Sequence, residues 1–103
     1  MRTFKQELNL FDKHKLDLLK VEIAWTVDYW KRDYEFLSNE ETYEKICSFV
    51  YKYKLDENYD LDTHNIVEAV CLALYNNRIT LDDLQNDYEK STLEISYFLY
   101  RGW

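Results

Sequence analysis

The chain predicts an all-α fold: four main helices in a compact bundle, with an additional short N-terminal helical segment. Three observations carry that expectation. There is no Pro, and the one Gly is Gly102, so no internal position holds a strong helix breaker. Apolar residues recur at helical spacing along most of the chain, and no stretch alternates convincingly at the period of two that a half-buried strand requires. Residues that favour helix caps (Ser, Thr, Asp, Asn) fall between the apolar runs. With 103 residues the chain reads as one domain, residues 1–103, able to bury a single core without disulfide or metal.

The longest helical pattern covers residues 13–37. Leu16, Leu19, Ile23, Val27, Trp30, Tyr34 and Leu37 line one face. Leu18, Trp25, Tyr29 and Phe36 form a second stripe, roughly opposite at about 100° per residue. A helix with two apolar stripes needs a neighbour on each side. It is either the middle helix of a bundle or a helix shared between its own core and a partner. Residues 3–11, with Phe4, Leu8 and Phe11 at helical spacing, are the expected cover, together with the tail around Tyr97, Tyr100 and Trp103. Failing that cover, Leu18, Trp25, Tyr29 and Phe36 become a self-association face, so the chain is a monomer or a homodimer.

The remaining helices follow in order. Asp12 is placed to cap the first. Ser38-Asn39-Glu40-Glu41 has the form of a capping box and opens a helix over 40–54, with Tyr43, Ile46, Cys47, Val50 and Tyr53 inward. Asp56 to Asp62 is an acidic turn. Asp62 or Thr63 caps a third helix, residues 64–77, with Ile66, Val67, Val70, Cys71 and Leu74 inward, and Asn76-Asn77 ends it because Asn tolerates the left-handed conformation. Thr80-x-x-Asp83 opens a fourth helix over 81–99, with Leu81, Leu84, Tyr88, Ile95 and Leu99 on one side. Residues 92–100 are rich in β-formers, yet a lone strand has no partner, so helix is the expectation there as well.

Composition narrows function. Cys47 and Cys71 each sit in an apolar helical pattern and read as small hydrophobes. With no secretory hydrophobic segment and no run of membrane-spanning length, a reduced, cytoplasmic protein is expected, with no membrane contact. The acidic turn puts Asp56, Asn58, Asp60 and Asp62 at alternate positions of a calcium loop, but Leu61 stands where the loop needs Gly and Val67 where it needs Glu. His14 and His64 lack zinc spacing. No nucleophile motif or phosphate-binding Gly-rich loop is readable, so no catalytic residue, metal or cofactor is assigned and the chain is not read as an enzyme.

Two resemblances bear on the bundle. Leu84, Tyr88, Ser91, Ile95 and Ser96 fall on the apolar and Ser positions of a sequence that resembles the helix-turn-helix of bacterial transcriptional regulators, residues 80–100. Glu89 stands in place of the turn Gly, and the segment 92–101 offers one Arg and no Lys to a DNA groove. Lys54-Leu55-Asp56, Tyr59-Asp60-Leu61-Asp62 and Asn77-Arg78-Ile79-Thr80 resemble the start and end of the third helix of the immunity proteins that protect producers of pediocin-like bacteriocins. That resemblance covers about a third of the chain. It implies a four-helix bundle and a toxin-immunity role, although the family tends to be basic.

Charge gives the functional expectation. The net charge is −7, and residues 56–94 hold ten acids against Arg78 and Lys90. Such a surface disfavours nucleic acid and favours a basic protein partner. On the fourth helix Asp83, Asp87 and Glu94 fall on one line, interrupted by Lys90, with Asp82 and Glu89 beside it. At ~1.5 Å per residue, Asp83 to Glu94 spans roughly 16 Å, the scale of a short stretch of nucleic-acid backbone. Asp56, Glu57, Asp60 and Asp62 extend the row if the fold brings them near. The expected function is a small inhibitor that docks a nuclease or other DNA-binding protein by DNA mimicry, as phage- or plasmid-borne anti-restriction and anti-CRISPR proteins do. On this reading, reversing Asp83, Asp87 and Glu94 to Lys leaves the fold intact.

Overall fold

The computed structural model describes residues 13–56 and 62–101. The architecture is all-α: α1 (Lys13–Trp30), a 3₁₀ turn (Glu35–Ser38), α2 (Glu40–Asp56), α3 (Thr63–Tyr75), α4 (Leu81–Asn86) and α5 (Tyr88–Arg101). No strand occurs among the described residues. The expected helix over residues 3–11, the Asp12 cap and Trp103 lie outside the described residues.

The centre of the bundle is α3, which packs against α5, α1 and α2. Ile66, Val67, Ala69, Val70, Cys71 and Ala73 are all buried, leaving little of the helix for water. The long first segment, expected as either the middle helix of the bundle or a helix shared with a partner, is α1, which packs beside α3. Among the described residues of α1, Leu19, Ile23, Thr26 and Val27 are buried and form one stripe. The other side of the helix faces outward, so α1 is the kind of helix that keeps a second apolar face.

Local chemistry sets the α3 boundaries. Asp62 accepts a hydrogen bond from His64 N at 3.0 Å and caps the start. At the end Asn77 adopts φ 58°, with Arg78 N bonded to Ala73 O at 2.9 Å and Asn77 N to Leu74 O at 3.1 Å. That pair of bonds is a Schellman termination, with Asn where Gly is commoner.

Two expected helices are each broken once. The first stops at Trp30 rather than Leu37. Tyr34 is extended, and the chain re-enters a 3₁₀ turn. No Gly or Pro dictates this break; packing does. The turn buries Leu37 completely and brings Phe36 against the core. A straight helix would have left Phe36 with the outward stripe, so Phe36 leaves the proposed self-association face. The last helix breaks at Asp87. The Asp87 carboxylate accepts from Lys90 N at 3.1 Å, and its carbonyl from Ser91 N at 3.1 Å, so Asp87 acts as the cap of α5. Buried Ser91 donates to Asp83 O at 2.9 Å and ties α5 back to α4. Residues 92–100 are helix.

The predicted capping box at Thr80 is present, with Asp83 N donating to Thr80 Oγ1 at 3.1 Å and Thr80 N donating to an Asp83 oxygen at 2.9 Å. The one predicted at Ser38 is not. Asn39 Oδ1 accepts from Glu41 N at 2.8 Å and from Thr42 N at 3.4 Å, while the Ser38 hydroxyl donates back to Glu35 O at 2.8 Å. The 3₁₀ turn has taken Ser38 for itself, and the α2 cap moves one residue on. Accordingly, Asn39→Ala should lower stability by ~1 kcal/mol, whereas Ser38→Ala should change it by less than about 0.5 kcal/mol, as read from urea denaturation midpoints.

Candidate protein-docking surface

The predicted acidic row does not survive as one line, because α4 and α5 are separate helices. Its members also have local work. Asp83 closes the Thr80 capping box and pairs with Lys90 Nζ at 3.0 Å. Asp87 caps α5. Glu94 holds Arg78 Nε at 3.0 Å. Asp82 accepts from the Asn86 amide at 3.0 Å and is exposed, as is Glu89. Asp62 caps α3. Glu57, Asp60 and the side chain of Asp56 lie outside the described residues. Glu89, aligned above with the turn of a helix-turn-helix, lies in the first turn of α5, and the break comes earlier at Asp87.

A different surface stands out. On α1, Trp25 is 64% exposed, Tyr29 45% and Leu18 54%, and Val21 joins them at 67%. These side chains lead into a continuous ribbon of rings. Trp25 stacks on Tyr29 with centroids 6.0 Å apart, and Tyr29 meets Trp30 edge-on at 5.3 Å. His64, at the start of α3, lies 5.3 Å from Trp30 and 5.9 Å from Tyr29. The ribbon continues from Trp30 to Tyr34 at 6.2 Å, then to Phe36 at 5.9 Å and to exposed Tyr75, at the end of α3, at 5.5 Å. His64 and Tyr75 bracket α3, so the ribbon runs roughly 16 Å along that helix.

Such rings present large apolar area on side chains with few rotors, the composition of interface anchors. Burial pushes the Tyr34 phenol up from its ordinary value, aided by nearby Cys71 and Glu68, so it stays neutral. Desolvation also pushes the Glu68 carboxyl up, opposed by His64, whose Nε2 stands 4.0 Å away. Burial pushes the Cys71 thiol up to about 12, fitting a small core residue. Among the described residues no group of three or more His, Cys, Asp or Glu is placed to hold a metal ion, and no helix is long and apolar enough to cross a membrane.

Of the predicted self-association face, Leu18, Trp25 and Tyr29 come together at the surface. The described part of the tail does not cover them, since Tyr97 and Tyr100 are themselves exposed on α5. Val21 was legible, falling three residues after Leu18 and four before Trp25. Trp30 and Tyr34 were legible only as members of the core-facing stripe, and the contributions of His64 and Tyr75 were not legible, because they come from α3. Comparison with known proteins finds no matching family model, no matching curated protein and no matching solved structure.

The engagement of Asp83 and Asp87 reverses the expectation for charge reversal. Changing Asp83, Asp87 and Glu94 together to Lys removes two caps and two ion pairs, so the thermal midpoint should fall clearly, measured by circular dichroism. A pH dependence follows as well. The Asp83 carboxyl is held below its ordinary 3.8, first by the Thr80 backbone N–H and then by Lys90. Its stabilising contribution is therefore present above that value and is lost as pH falls through the lower, folded value. Urea midpoints taken below pH 3.8 should depend less on pH in Asp83→Asn than in the wild type.

Proposed function

We propose that this chain is a small helical protein-docking module that inhibits a partner with a basic surface, of the kind nucleases and other DNA-binding proteins present. The observation that carries the reading is the aromatic ribbon from Trp25 to Tyr75, exposed at its ends on Trp25, Tyr29 and Tyr75 and half-buried between them at Trp30, Tyr34 and His64. The rings supply the anchor. The net charge of −7 supplies the selection, since it repels acidic partners and speeds encounter with basic ones. Mimicry of a nucleic-acid backbone is the finer form of this reading. It draws on Asp82 and Glu89, exposed around the α4–α5 corner and used in neither a cap nor an ion pair among the described residues, rather than on an unbroken row along one helix.

Affinity capture from the native cell supplies the partner, and the paired variant Trp25→Ala/Tyr29→Ala tests the site. Both side chains project from the core, so the melting midpoint should stay near the wild-type value. Binding should weaken by ~2 kcal/mol or more, as expected for anchor aromatics. Raising salt should slow association of the wild type. Undiminished affinity in the paired variant would remove the ribbon as the docking site. Sedimentation of the isolated chain as a dimer that the same variant dissociates would make a second copy the occupant instead.

A further inference from the structure

A groove of about 390 Å³ lies between α2 and the α4–α5 corner, away from the aromatic ribbon and independent of it. Its floor is apolar, formed by Phe49, Leu84 and the ring of Tyr88, with Phe49 and Tyr88 rings 5.5 Å apart. Its α2 wall is polar and repeats along one helix face: Lys45, Ser48 and Lys52, at steps of three and four. Gln85 reaches in from α4. In a chain this acidic, a groove that gathers two lysines over an aromatic floor is an inversion of the general surface.

The two cations differ in availability. Lys45 is held by Glu41 at 2.9 Å, and Glu44 also lines the groove, so Lys45 contributes little net positive field. Lys52 is placed otherwise. Its ammonium stands 4.3 Å above the centre of the Tyr88 ring, and none of the ion pairs among the described residues takes it up. The ring fixes the ammonium at the floor without neutralising it. A charge held in advance over an apolar surface loses little freedom when an anion arrives, and the partial exclusion of water strengthens the pair.

We infer that this groove is a binding site for a small amphipathic anion, a flat apolar body bearing one carboxylate or phosphomonoester. The body lies on Phe49 and Leu84, the anion meets Lys52, and the Ser48 hydroxyl and Gln85 amide supply hydrogen bonds to its oxygens. The volume suits a ligand of that size. Specificity against cations comes from Lys52, and against simple inorganic anions from the apolar floor.

The test is an NMR titration of the whole chain with 4-phenylbutyrate, phenyl phosphate and benzylamine. The two anions should give saturable shifts at the amides of Ser48, Phe49, Lys52 and Gln85 with dissociation constants on the order of 1 mM, the range open to fragments with so few atoms. Preference between them identifies carboxylate or phosphomonoester. Lys52→Glu should weaken binding at least ~tenfold, because it replaces attraction by repulsion. Ser48→Trp, at an exposed position on the groove wall, should block it sterically in a chain whose circular dichroism is unchanged. Trp25→Ala should leave it untouched, which separates this site from the ribbon. Equal binding of benzylamine, undiminished affinity in Lys52→Glu, or no saturable shift with either anion would overturn the assignment.

Discussion

The rest of the structure depends on the burial of α3. Its thirteen residues include Ile66, Val67, Ala69, Val70, Cys71 and Ala73, all withdrawn from water, and its polar positions are few. A helix of that composition is unstable alone and must be covered. The covering helices each bring one apolar stripe: Ile23 and Val27 from α1, Ile46 and Val50 from α2, Ile95 from α5. Replacing Ile or Val here with Ala typically costs about 2–5 kcal/mol for the longer side chains, so this contact set dominates the stability of a small domain. Ala69 and Ala73, one turn apart, leave room for a neighbouring helix to approach closely.

That constraint explains the two helix breaks. Residues 31–34 contain no residue that forbids a helix, so by propensity alone α1 would continue past Trp30. Continuing it would carry Leu37 and Phe36 past the end of the core. The extended backbone at Tyr34 and the 3₁₀ turn return both to it. The same logic holds at Asp87. A straight helix from Leu81 would run off α2, whereas the corner lets α4 pack on α2 and α5 on α3. The caps that stabilise these breaks then absorb acids that sequence position alone presented as a free row. Charge used in caps and ion pairs stabilises its own helix and is poorly available to a partner.

What the core leaves outside is as informative as what it takes. α1 gives one stripe to α3 and keeps Leu18, Val21, Trp25 and Tyr29 at the surface. Because α3 lies against it, His64 and Tyr75 extend those rings into a ribbon. The functional reading therefore rests on a surface that exists only because two helices are adjacent, with the acidic composition setting the kind of partner rather than the place of contact.

The sequence by itself determined the helical class, the identity of α3 as an apolar helix, and the caps at Asp62, Asn77 and Thr80. Each of these is a property of a few consecutive residues: a period, a side chain within reach of its own backbone, or an Asn that accepts positive φ. It also marked Leu18, Trp25 and Tyr29 as an unsatisfied face, since periodicity shows a second stripe wherever one exists. Tertiary structure decided the rest. It moved the α2 cap from Ser38 to Asn39 because the preceding turn claimed the Ser hydroxyl. It drew Phe36 inward, engaged Asp83, Asp87 and Glu94, and joined rings from separate elements. It also set Lys52 over Tyr88, from helices far apart in the chain. Such features depend on which helix lies beside which. That is settled by how the stripes pack together, and no single stripe contains it.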